Sequence, residues 1–159
     1  MLFGTNTVPV TADYLSAGVV GVSASNIAAV NAMVGPLSAS ATDTRAELQA
    51  IVDAVTALQL AANSAADASA HLTAANLAAL GAAGVDTANE VALFNSIVDQ
   101  LPYTAVDTPA EIAAIARIVE AIQLIASGGT ANPALTPADF ALIGITNVNS
   151  ANLAGVIAQ

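Results

Sequence analysis

The stretch DTRAELQAIVDAVTALQLAA, residues 43–62, returns as DTPAEIAAIARIVEAIQLIA at residues 107–126. Both copies open on Thr-x-x-Glu, in which the hydroxyl and the carboxylate each take a first-turn backbone N–H and the acid also complements the helix dipole. Thr44 with Glu47 and Thr108 with Glu111 are therefore predicted capping boxes. Behind them Leu48, Ile51, Val55 and Leu58, and in the second copy Ile112, Ile115, Val119 and Ile122, recur at steps of three and four, which puts each set on one helix face. One long helix written twice marks a chain of repeated units.

Outside these helices the repeat continues. Gly18, Gly81 and Gly144 recur at a step of 63, as do Val22, Val85 and Val148, and Asn26, Asn89 and Asn152; Asp43-Thr44 and Asp107-Thr108 are 64 apart. Short helices are predicted over 11–17, 74–80 and 137–143, each stopped by one of those glycines in the left-handed C′ position that a Cβ disfavours. The third has a complete start signal, with Thr136 as N-cap, Pro137 at the first helical position and Asp139 in the first turn. Ser23, Asp86 and Asn149 are expected to cap a second helix. Its apolar face is read as Ile27, Val30 and Val34 in the first copy and Leu93, Ile97 and Leu101 in the second, ending at Pro36 and Pro102. Tyr14, Leu77 and Phe140 share one repeat position, which points to a common packing site.

The expected fold is all-α, a tandem of three-helix-bundle repeats with two full units and a partial third. An N-terminal segment (1–9) precedes unit one (10–62), a linker (63–72), unit two (73–126), a second linker (127–135) and a two-helix partial unit (136–159). The partial unit lacks a closing helix, leaving Ile143, Val148, Leu153, Val156 and Ile157 to be covered by something else. Ile143, Leu153, Val156 and Ile157 are thus candidate interchain contacts, joined by Tyr103 in the loop after Pro102. The long helices also carry Ala50, Ala54, Ala57 and Ala61, then Ala113, Ala114 and Ala121, where a solitary bundle would place Lys or Glu. A unit of about 60 residues buries only about 60% of its unfolded surface, so contact with a neighbouring unit adds stability.

Composition limits the function classes. Formal charge is −10, from 12 acids against Arg45 and Arg117, with no Lys. Such a chain repels phosphate backbones and anionic bilayers, so nucleic acid is not an expected partner. Mean hydropathy is +0.72, but charged residues such as Arg117 and Glu120 interrupt every long apolar stretch, and membrane insertion is not expected. The opening MLFGTNTV has no basic region and is not read as a Sec signal peptide. There is no Cys, which removes disulfides and thiolate chemistry. With 56% hydrophobic and 9% charged residues, the chain should fold.

The landmarks LAALGAAGV (77–85) with DTPAEI (107–112), and YLSAGVVGV (14–22) with DTRAEL (43–48), resemble the GA-like three-helix modules found in tandem in large bacterial surface and biofilm-associated adhesins. The resemblance covers nearly the whole chain. It implies an extracellular or bacterial cell-surface setting and a role as one link in a long repetitive protein. Related GA modules bind serum albumin through the second helix; here that helix is acidic and Ala-rich, without Lys.

No nucleophile, base and orienting group recur in a usable pattern, so no catalytic, cofactor or metal residues are assigned. His71, the only histidine, reads as an exposed linker residue, and the acids are spaced singly rather than as a calcium loop. The primary functional reading is a non-catalytic structural or adhesive module. The alternatives are a self-assembling filament or matrix subunit that polymerises through the partial third unit, and a module that binds a host or other surface protein.

Overall fold

The structure is a computed structural model and describes residues 8–63 and 72–158. Among these residues the fold is all-α, with no strand. The helices are α1 (Thr11–Ser16), α2 (Ile27–Val34), α3 (Arg45–Asn63), α4 (Ala74–Ala79), α5 (Ala88–Val98), α6 (Pro109–Ala126), α7 (Pro137–Leu142) and α8 (Leu153–Ile157). Short 3₁₀ turns at Ala39–Ala41 and Tyr103–Ala105 lead into α3 and α6.

The three short helices end alike. Gly18, Gly81 and Gly144 have φ of +77°, +89° and +81°. The glycine N–H and the next N–H bond back to two helix carbonyls, as in Gly18 to Leu15 and Val19 to Tyr14, both 2.9 Å. This double closure satisfies carbonyls that would otherwise be orphaned at a helix end. Its inner acceptor is each time the shared packing residue, Tyr14, Leu77 or Phe140, and all three side chains are buried. The stop signal and the core anchor are therefore coupled in one turn.

The second helices correct the sequence register. Ser23, Thr87 and Asn149 each donate their backbone N–H to the side chain three residues on, Asn26, Glu90 and Asn152, at 2.7, 3.0 and 2.8 Å. Thr87, not Asp86, is the N-cap of α5, because its hydroxyl and Glu90 form a reciprocal capping box. The counterpart of Asn26 is Glu90 rather than Asn89, and the extra residue of the second segment lies in the turn just before Thr87. From there on a step of 64 applies, pairing Val30 with Phe94, Asn31 with Asn95 and Met33 with Ile97. The core face of α5 is accordingly Phe94, Ile97 and Val98, with Leu93 and Leu101 at its half-buried margin. On α2 it is Ala29, Val30 and Met33.

The long helices do what their apolar stripes require. Ile51, Val55 and Leu58 of α3 and Ile112, Ile115 and Val119 of α6 are buried, each such side chain contributing about 1.5–3 kcal/mol of transfer free energy. The sequence divides the chain into separate units, yet α3 packs against α2 and also against α4, α5 and the second 3₁₀ turn. Its broadest contact is with α4. Ala54 and Ala61 of α3 and Ala121 of α6 are buried, so small side chains permit close approach there, whereas Ala50 and Ala113 remain exposed. Leu72, inside the expected linker, is fully buried in the same continuous core. His71 and the rest of 64–71 lie outside the described residues, as does most of the expected 1–9 segment.

Candidate functional site

An apolar groove of about 680 Å³ lies between the α5–α6 pair and the α7–α8 pair. Phe140 and Ile143 of α7 and its cap, Ile122 and Ile125 of α6, and Val156 and Ile157 of α8 form its walls. Ser96 and Gln100 are its polar lining residues, and no charged residue lines it. A surface of this chemistry accepts apolar side chains or a weakly polar ligand and offers nothing to an ion.

The groove exists because α8 is uncovered. By the capping register Val156 stands where Val30 and Phe94 stand in the earlier segments. Those two are 0% exposed, covered by the long helices packed on α2 and α5, while Val156 is 43% exposed. The other candidate contacts fare differently. Ile143 is buried in the core, and Val148, Leu153 and Ile157 are half-buried against it. The structure therefore gathers Ile143, Val156 and Ile157 at one groove but leaves chiefly Val156 available on its rim.

Tyr103 is not part of this surface. It sits in the second 3₁₀ turn, which packs on α3, and is half-buried against the core. Among the described residues no group meets hydrogen-bond geometry with its buried hydroxyl. Burial and the nearby Asp107 carboxylate push its pKa above the ordinary tyrosine value, and the adjacent Gln59 amide offsets this only in part.

The capping residues hold the segments in place. Thr44 with Glu47, Thr108 with Glu111, and Thr136 with Asp139 form the expected reciprocal bonds, for example Thr108 N–H to Glu111 Oε2 at 3.0 Å. Thr73 with Asn76 and Thr87 with Glu90 add two boxes that the sequence reading did not single out. The hydroxyl and backbone N–H of Thr44 hold Glu47 below the usual glutamate pKa, and those of Thr87 do the same for Glu90. At Asp139 partial burial works upward, but bonds from Thr136 and the charge of Arg117 outweigh it and the pKa is lowered. Asp139 also forms the ion pair with Arg117 that ties α7 to α6.

Asn95 is the polar residue that sequence reasoning missed. Buried on α5, it accepts from the Leu72 N–H at 2.8 Å and donates to the Leu72 carbonyl at 2.9 Å. Asn31 makes the corresponding link to the Pro9 carbonyl at 2.9 Å, and Ile157 occupies the position in the last segment. Pairing the segments at a step of 64 after the turn would have revealed the two asparagines.

Among the described residues no three His, Asp or Glu side chains gather where they could hold a metal ion. Among them, too, no helix is long and apolar enough to cross a membrane. No protein-family model, curated protein or solved structure matches the chain.

Proposed function

We propose that the chain is a non-catalytic structural or adhesive module of an exported bacterial surface or extracellular matrix protein. Its tandem three-helix units, 10–62, 73–126 and a partial 136–159, act as links that set spacing. The observation that carries this reading is the packing of α3 against both α2 and α4, within one continuous core that spans the first and second segments. A helix shared in that way lets a fold lengthen by adding segments, the behaviour of repeat proteins. The Arg117–Asp139 pair and the burial of Leu135 and Phe140 extend the same logic to the third segment. The sequence resemblance to GA-like adhesin modules supplies the bacterial extracellular setting.

The test is location. An epitope-tagged chain, expressed from its own locus, should be labelled by antibody on intact cells or recovered from the surrounding matrix. Labelling that appears only after the cells are permeabilised would end the reading.

A further inference from the structure

We infer that residues 130–158 form a unit that opens separately, α7 and α8 undocking from α6 and unfolding together while α1–α6 stay folded, with Arg117–Asp139 as the latch. The three segments are tied down unequally. In the turn between α1 and α2, three side chains of α3 hold the backbone. Arg45 Nε donates to the Gly18 carbonyl at 2.6 Å, Gln49 bridges the N–H and the carbonyl of Val20 at 2.9 and 3.0 Å, and Gln59 Nε2 donates to the Ser25 carbonyl at 2.9 Å. The second segment has the broad α3–α4 contact, packing of α5 against both α3 and α6, and the Asn95 bridge to Leu72.

The third segment has much less. Among the described residues the only hydrogen-bonded pair that joins 130–158 to the rest of the chain is Arg117 with Asp139, whose side chains are 36% and 14% exposed. Ile118 and Ile125 of α6 stand where α3 has Ala54 and Ala61. Accordingly α7 lacks the close backbone approach to α6 that α4 makes to α3, and the groove lies beside it. Ile157 stands in the place of Asn95 and has no amide with which to bridge the Leu135 backbone. The segment is thus held chiefly by burial of Leu135, Phe140 and Ile143 and by one partly exposed ion pair, which solvent and salt weaken. Undocking and unfolding are one event here. With six residues in α7 and five in α8, neither reaches the ~12–15 that an isolated helix needs in water, so neither persists once Phe140 and Ile143 leave the core. Gly128, with φ of +84°, and Gly129 lie directly before the segment and supply a permissive pivot that leaves α6 intact. For a link that sets spacing, this joint is where length is released, up to about 100 Å of extended chain. That consequence rests on the architectural reading above; the opening itself does not.

Hydrogen exchange of the purified chain, followed by mass spectrometry in increasing urea, tests the opening whatever the protein's location in the cell. Peptides from 130–158 should exchange about 100-fold faster than those from α5 and α6. Amides of α7 and α8 should share one urea dependence, shallower than that of α6 because the opening exposes less surface. Arg117→Met keeps the aliphatic stem and removes the latch, so it should speed exchange in 130–158 by about two- to fivefold and leave α1–α5 unchanged. Arg45→Met, which removes the other arginine, should leave 130–158 unchanged. The parent chain's own pattern decides the matter if Arg117→Met misfolds. Protection of 130–158 equal to that of α5 would overturn the inference. So would loss of protection in α8 alone while α7 stays as protected as α4, or an Arg117→Met effect spread evenly over the chain.

Discussion

Replacing Asn95 by Ala should be among the more damaging single changes available outside the apolar core. The side chain is 5% exposed and bridges both backbone groups of Leu72, itself 1% exposed, just ahead of α4. Truncation leaves the Leu72 N–H and carbonyl buried without partners, and an unsatisfied buried group costs about 1–3 kcal/mol. A small cavity adds to this, giving a total of about 2–4 kcal/mol. Asn31→Ala is the internal control. It removes the bond to the Pro9 carbonyl and the acceptor for the Tyr14 hydroxyl, but Asn31 is half-buried and Pro9 exposed, so water replaces much of what is lost. Its cost should stay near about 0.5–1.5 kcal/mol. Urea unfolding followed by circular dichroism measures both, and an unchanged m value certifies that stability rather than cooperativity has moved. Equal losses for the two variants, or a loss below about 1 kcal/mol for Asn95→Ala, would refute the reasoning that burial of the Leu72 backbone sets the magnitude.

Three further outcomes follow from particular side chains. Tyr103→Phe removes a buried hydroxyl that has no partner among the described residues, so thermal unfolding should show a neutral or stabilised chain, by up to about 1 kcal/mol; a clear loss would mean that the hydroxyl is bonded, with the adjacent Gln59 amide as the nearest candidate. Gly81→Ala meets no neighbouring atom but must hold φ near +89°, so its cost should be the conformational strain alone, about 1–2 kcal/mol, read from urea denaturation. Asp139 has a lowered folded pKa, so its contribution is present above the unfolded aspartate value and is lost as pH falls through the folded one. Asp139→Asn should therefore lose less stability than the parent chain on acidification below about pH 4, measured by urea midpoints across that range.

Much of the fold was legible because it is governed by local chemistry. The glycine stops at 18, 81 and 144, the Thr-x-x-acid starts and the 3.6-residue stripes of α3 and α6 each depend on residues within a turn or two of one another. What was not legible depends on register or on distant contact. Asn26 and Asn89 are the same residue type at an even step, yet one inserted residue moves the cap to Thr87 and turns Phe94 and Val98, rather than Leu93 and Leu101, into the core. The 3₁₀ turns at 39–41 and 103–105 are too short to show a period. The sharing of α3 between segments was hinted at by its alanines, but alanine suits an exposed helix as well as a close contact, and Ala50 and Ala54 illustrate the two cases. At the groove, the run of apolar residues between 143 and 157 was readable; which of them α7 and α6 would shelter, Ile143 above all, was not.

The two arginines have one more consequence. Arg45 opens α3 with its Nε bonded to the Gly18 carbonyl at 2.6 Å, and Arg117 sits in the middle of α6 clasped to Asp139. With no lysine in the chain, trypsin has only the bonds after these two residues to cut, and it requires several residues of extended backbone to do so. Scission after Arg45 can follow fraying of a helix end, whereas scission after Arg117 awaits the unwinding of a buried helix. A digestion time course thus works as a label-free clock, its two cuts timing the opening of a helix tip and of the molecule's interior.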